Sequence, residues 1–136
     1  MYKKIFTIIL VASFAHASLS IPVSAKTAVK EMIAQKVDCS KANNTVEIKY
    51  CSQQSYQAAD KQLNQVYRQV ISNLNGEARQ LLNTAQQAWI RFRDNNCDFE
   101  VYDNRGGTGY EIFRNGCLER VTKQRTKDLR AYLSSR

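Results

Sequence analysis

LLNTAQQAWIRFRDNNC, residues 81–97, decides the fold. Around it, apolar side chains recur at Ala78, Leu81, Leu82, Ala85, Trp89 and Phe92. Steps of three and four place them on one face of an α-helix. The stretch carries the one tryptophan of the chain and ends on a cysteine. Such a face has to be covered by the segments on either side, and both show the same periodicity.

Upstream, Ile48, Cys51, Ala59, Leu63, Val66, Tyr67, Val70 and Leu74 line one face of a long first helix. Asn44 or Thr45 is its expected N-cap, and Glu47 completes the spacing of a capping box. Asn75-Gly76 stops it, with the glycine as a left-handed cap residue. A connection this short returns the second helix antiparallel, from about Glu77 to Phe99 or slightly beyond. Downstream, Asp103-Asn104-Arg105-Gly106-Gly107 is the clearest loop in the chain. Thr108 is the expected cap of a third helix, with Glu111 three residues on. Tyr110, Phe113, Cys117, Val121, Leu129 and Leu133 then face the core. No strand pattern of useful length occurs. The expected fold class is all-α, a small antiparallel three-helix bundle with two disulfides and a short N-terminal helical or irregular arm.

Residues 1–25 read as a secretory signal peptide. Lys3 and Lys4 precede an uncharged run from Ile5 to Phe14, and Val23-Ser24-Ala25 supplies small residues before a cut. Residues 26–38 form the arm, with Val29, Met32, Ile33 and Val37 at helical spacing, and residues 39–136 form the domain. Export places the chain in the periplasm or outside the cell, with no stable membrane insertion once the signal is removed. Removing Lys3 and Lys4 leaves 18 Lys and Arg against 12 Asp and Glu, a net charge of 18 − 12 = +6. Positive charge on an exported domain suits anionic envelope polymers as partners. Nucleic acid is excluded by compartment.

Four cysteines remain after the leader, Cys39, Cys51, Cys97 and Cys117, and an even count in a small exported domain implies disulfides. None stands in a CxxC pair, which argues against a metal site. Folding the hairpins about their turns gathers all four at one end of the bundle. That register favours Cys39–Cys51 with Cys97–Cys117, and Cys51–Cys97 with Cys39–Cys117 stands second. Cys51–Cys117 is too far offset along the axes.

The single histidine, His16, leaves with the signal peptide. The usual general base and metal ligand are therefore missing. No catalytic residue, no metal and no cofactor are expected. A carboxylate pair such as Asp94 and Asp98 is the one enzymatic arrangement left, and acids on a helix face ordinarily meet water.

Some polar residues lie where burial is expected. Asp60, Asn64 and Tyr67 share a face of the first helix, and Gln86, Arg93 and Cys97 share one on the second, with Asp94 beside Arg93. The hairpin register sets Asp60 level with Arg91 and Asn64 level with Gln87. Buried polar groups need partners, so this seam is expected to be a structural network that fixes helix register.

These residues together resemble a family. Thr45, Glu47, Cys51, Tyr56, Ala59-Asp60, Leu63-Asn64 and Tyr67 are followed by Leu82, Ala85-Gln86, Ala88-Trp89, Arg93-Asp94 and Cys97. A Gly106-Gly107 loop, Cys117-Leu118, Thr122, Arg125 and Leu129 complete the pattern. It is similar to the lysozyme inhibitor LprI-like N-terminal domain family, over about Cys39 to Leu133. The resemblance implies a helical, disulfide-bonded, exported cell-envelope protein, with inhibition of lysozyme-type muramidases as the expected function. The chain has no lipobox cysteine, so the resemblance implies no lipid anchor.

The expected binding element is the loop beyond the second helix, with Phe99, Tyr102, Asp103, Arg105, Gly106 and Gly107. Its expected partner is a lysozyme or another envelope protein. The carboxylates of Asp94, Asp98, Glu100, Asp103 and Glu111 cluster near it and could meet a cationic enzyme. The alternative is a general periplasmic interaction or stress protein that binds an anionic polymer or a protein, without lysozyme inhibition. Arg114, Arg120, Lys123, Arg125, Lys127 and Arg130 on the third helix speak for it.

Overall fold

The computed structural model describes residues 37–135. The expected signal peptide and the expected arm up to Lys36 lie outside the described residues. Val37 and Asp38, the last two residues of the expected arm, are not helical. Three α-helices follow, α1 (Thr45–Ser72), α2 (Gly76–Glu100) and α3 (Tyr110–Ser134). There is no strand among the described residues. The helices run up, down and up, as the two short connections require.

The N-terminus of α1 is capped as its sequence demands. Asn44 Oδ1 accepts from the backbone N–H of Glu47 at 3.0 Å, satisfying one free donor of the first turn. The Glu47 carboxylate accepts in return from the N–H of Asn43 at 3.3 Å, one residue earlier than a standard capping box. Two cap assignments change. Gly76 does adopt a left-handed φ of +50°, but it opens α2, and α1 is closed by Asn73 with φ −89°. Thr108 does not cap α3. Gly109 holds that position without a side-chain bond, and the Glu111 carboxylate is drawn across to an ion pair with Lys49 of α1.

The closest packing is between α1 and α3, which are parallel to each other. Small residues at their buried positions, Ala59, Thr122 and Thr126, let the two axes approach. One apolar cluster joins Leu63, Val66, Val70, Leu74 and Leu129, with Tyr67, Leu82, Trp89, Tyr132 and Leu133 packed around it. Burying each such aliphatic side chain stabilises by about 1.5–3 kcal/mol. A second cluster at the loop end joins Cys97, Cys117 and Leu118, with Tyr56 and Val121 beside it.

Both disulfides form, Cys39–Cys51 and Cys97–Cys117, each with its Cα atoms 5.6 Å apart. The first ties the incoming chain to α1. The second joins α2 to α3 across their loop.

The buried face of α2 is not the apolar one. Gln86, Arg93 and Cys97 are buried, while Leu81 is 62% exposed and Phe92 57%. Ala78 and Ala85 are exposed as well, and only Leu82 and Trp89 of the expected set reach the core. The physical reason is rotational. Cys97 must face Cys117, and at about 100° per residue Arg93 and Gln86 lie within about 40° of the Cys97 direction. Phe92 and Leu81 lie about 140° and 160° away from it. A covalent bond has set the helix rotation, and the wide apolar stripe does not fit the contact. Two smaller corrections follow the same pattern. Ile48 at the start of α1 and Phe113 on α3 are exposed, and Leu118, Thr122 and Thr126 take the buried places on α3.

Candidate functional site

Of the polar residues expected to form a seam, Asp60, Asn64, Tyr67, Arg93 and Asp94 lie between α1 and α2, and Gln86 does not join them. Arg93 Nη1 donates to Asp60 Oδ1 at 3.2 Å, and Arg93 Nε donates to Asp94 Oδ1 at 2.8 Å. Asn64 donates to Asp60 Oδ2 at 2.9 Å. One turn along, the Tyr67 hydroxyl bonds the side chain of Asn83. The observed pairs differ from the register drawn from the Asn75-Gly76 turn by two residues or fewer. The Arg93 guanidinium also lies over the rings of Tyr56, at 5.6 Å, and Trp89, at 5.3 Å. It is only 7% exposed, so its charge is satisfied by two carboxylates and two aromatic faces. Burial pushes the Tyr56 phenol above its ordinary pKa, against the opposing pull of Arg93.

Gln86 shares the buried face of α2 with Arg93 but turns to α3. Its Oε1 accepts from Arg125 Nε of α3 at 3.1 Å, and the Arg125 guanidinium lies 5.9 Å from the Trp89 ring. Trp89 is thus attended by one cation from its own helix and one from α3. Tyr56, Asn83 and Arg125 complete these contacts. A scan for buried polar faces misses them because each works from a half-buried or exposed position.

The loop residues form a separate feature, fixed from below. Asp98 accepts from Arg114 Nε at 2.5 Å and from the Tyr110 hydroxyl at 3.5 Å. The Arg114 hydrogen bond holds the Asp98 carboxyl below its ordinary pKa, and Asp98 in turn raises that of Arg114. Glu100 takes both its bonds from Arg120 Nη2, at 2.8 and 2.6 Å. Val101 is buried under the loop. Above it, Tyr102–Asn104 make a 3-10 turn, and Gly106 adopts φ +79°, a conformation that favours glycine. Gly107 N–H closes on the Asn104 carbonyl at 3.0 Å.

Phe99 is 81% exposed and Tyr102 60%, and the Arg105 guanidinium lies 4.9 Å from the Tyr102 ring. Asp103 is exposed and has no ion pair among the described residues. The neighbouring acids do not form a free acidic patch. Asp94, Asp98, Glu100 and Glu111 are paired with Arg93, Arg114, Arg120 and Lys49 respectively. Among the described residues no group of three or more His, Cys, Asp or Glu is placed to hold a metal ion. No described helix is long and apolar enough to cross a membrane.

Residues 38–129 match the family model described as lysozyme inhibitor LprI. An uncharacterised protein of Rhizobium meliloti (strain 1021) is 32% identical over 111 residues, covering 72% of this chain and 80% of its own length. Among solved structures, a DUF1311 family protein from Pseudomonas putida KT2440 superposes with a TM-score of 0.59 at 22% identity. That alignment covers 62% of this chain and 89% of the other. At that identity the structural likeness concerns the fold.

Proposed function

The chain belongs to the lysozyme inhibitor LprI family, and from that membership we propose that it is an exported inhibitor of lysozyme-type muramidases acting through the α2–α3 loop. Two disulfides require an oxidising compartment, which agrees with export.

The observation that carries the reading is the loop's construction. Phe99, Tyr102 and Arg105 project from a segment clamped by the Cys97–Cys117 bond and by the Asp98–Arg114 and Glu100–Arg120 ion pairs. A preorganised loop loses little entropy on docking, which is what a tight inhibitor needs. Tyr and Arg are the residue types that most often dominate protein interfaces. A muramidase cleft carries a pair of catalytic carboxylates, and a guanidinium held over an aromatic ring is suited to meet them. Because four nearby acids are already paired within the protein, contact is expected to rest on shape and aromatic burial. Long-range charge attraction to a basic enzyme contributes little.

The direct experiment is a turbidity assay. Purified protein is titrated against chicken-, goose- and invertebrate-type lysozymes acting on bacterial cell walls. Saturable slowing of at least one enzyme is expected, and no slowing of any of them at large excess overturns the reading.

A further inference from the structure

Tertiary contacts divide the cations of α3. Arg114 and Arg125 turn to Asp98 and Gln86 of α2, and Arg120 pairs with Glu100 beside the loop. Lys123, Lys127 and Arg130 are exposed, and Lys123 lines a shallow trough of about 450 Å³ between α1 and α3. No residue of α2 or of the 101–109 loop lines that trough.

We propose that this trough is a second binding site, and that it takes an anionic glycan strand of the cell envelope. Cations from two helices flank it. Lys61 of α1 and Lys123 of α3 both line it. The Lys49–Glu111 ion pair and the Ser52–Asn115 hydrogen bond fix the parallel register of α1 and α3. That register sets Lys61 level with Lys123, and Arg68 level with Arg130. Arg68 and Arg130 each follow seven residues after the first cation of their row, on the same helical stripe and about 10 Å further along. Lys127 falls between the two levels. The result is a ladder of charge that runs with the helices, as an extended polyanion requires.

Opposing charge is scarce on this side. α1 has no acid from Lys61 to Ser72, and Asp60 is turned to Arg93 of α2. Glu119 is the one carboxylate lining the trough, and it holds Lys123 through a surface pair weak enough to exchange. Lys61, Arg68, Lys127 and Arg130 have no ion pair among the described residues. These four cations are therefore available to a ligand.

The lining selects a glycan among anionic ligands. Ser55, Ala58, Gln62 and Gln65 form the α1 wall, and no large apolar side chain lines the trough. A protein partner is held by apolar and aromatic anchors at the centre of its interface, and none is offered here. A bilayer presents its charge as a plane, which does not enter a trough between two helices. Glutamine amides both donate and accept, which suits sugar hydroxyls, while the cations meet the carboxylates or phosphates of the strand. A second copy of this basic chain is repelled. Because the trough and the α2–α3 loop share no residue, a bound strand holds the protein in the envelope and leaves the loop free.

Calorimetric titration of the disulfide-bonded protein tests this at about 0.1 M salt, where the screening length is about 10 Å and distant charges count little. The probes are polygalacturonate oligomers, neutral dextran, polyglutamate and phosphatidylglycerol vesicles. Polygalacturonate is expected to bind saturably and about tenfold or more tighter than each of the other three. Lys61→Gln with Lys123→Gln is expected to weaken that binding about tenfold, with melting temperature and lysozyme inhibition unchanged. Arg79→Gln with Arg91→Gln removes the same net charge from exposed positions on α2 and is expected to leave binding within about twofold. No saturable binding of polygalacturonate overturns the proposal. So does equal binding of polyglutamate or vesicles, or an equal loss in the two double variants. The titration holds no lysozyme, so its outcome is separate from that of the turbidity assay.

Discussion

The Arg93 guanidinium of α2 reaches the Asp60 carboxylate of α1 at 3.2 Å, and the two residues are 33 positions apart in the chain. Charge, cation–π contact and helix register converge on this one side chain. Arg93→Ala removes the contacts to Tyr56 and Trp89 and unpairs Asp60. The outer edge of Asp60 is solvated, so the loss is expected near about 2 kcal/mol, less than for a fully buried pair. Urea unfolding followed by circular dichroism checks this through a lower midpoint at unchanged slope. Arg93→Lys keeps the charge without the planar fork and should recover only part of the loss.

The two disulfides should differ in consequence. Cys97 and Cys117 are buried between two helices, whereas Cys39 is exposed on the incoming chain. Loop-closure entropy alone gives each bond about 3 kcal/mol. Replacing Cys97 and Cys117 together by Ala also removes the constraint on α2 rotation and on the loop. It is expected to lower both the melting temperature and inhibition, while the Cys39 and Cys51 double replacement leaves inhibition largely intact. Thiol titration of the denatured wild-type protein should find no free cysteine.

Asp98 gives the fold an acid-sensitive contact. Its carboxyl is held below the ordinary value of 3.8 in the folded state, chiefly by Arg114. The folded state therefore binds that proton less readily than the unfolded chain. The stabilisation is fully present above the unfolded pKa and is lost as pH falls through the depressed folded one. Melting temperature measured from about pH 5 down to pH 2 should fall, and Asp98→Asn should flatten part of that slope.

Thr122 is fully buried, and its hydroxyl oxygen has no hydrogen-bond partner among the described residues. Its backbone carbonyl serves Thr126 Oγ1 at 3.0 Å and is untouched by a side-chain change. Thr122→Val keeps the shape and removes the unsatisfied polar atom, so it should be neutral or stabilise by about 1 kcal/mol. Thr126→Val removes a made bond and should not stabilise. Chemical denaturation of the two variants side by side distinguishes them.

For the loop, Tyr102→Ala and Arg105→Ala should each weaken inhibition by about tenfold or more with no change in melting temperature, as exposed interface anchors do. Gly106→Val should act differently. The φ of +79° is strained for a branched side chain, so the loop changes shape and inhibition falls although Gly106 itself contributes no side chain. Inhibition titrations against a responsive lysozyme provide the check.

Much of this architecture is local and so is written in the sequence. Asn44 and Glu47 mark the start of α1, the Asn75-Gly76 pair marks the first reversal, and cysteine spacing read against hairpin register selects the bonds. These depend on neighbours within a few residues or on counting along antiparallel helices. The rotation of α2 is different. Its apolar stripe, from Ala78 to Phe92, is the strongest pattern in the chain and points to the core. Yet the helix is turned by Cys97 reaching Cys117 and by Arg93 reaching Asp60, because a covalent bond and a half-buried ion pair outweigh the burial of a few more methylenes. Pairing of Asp98, Glu100 and Glu111 around the loop is equally non-local, since each finds its cation on another helix. Sequence determined three helices, their order and their cross-links. Which face each helix buries, and therefore which surface remains for a partner, was decided only by the tertiary contacts that fix the rotation of α2.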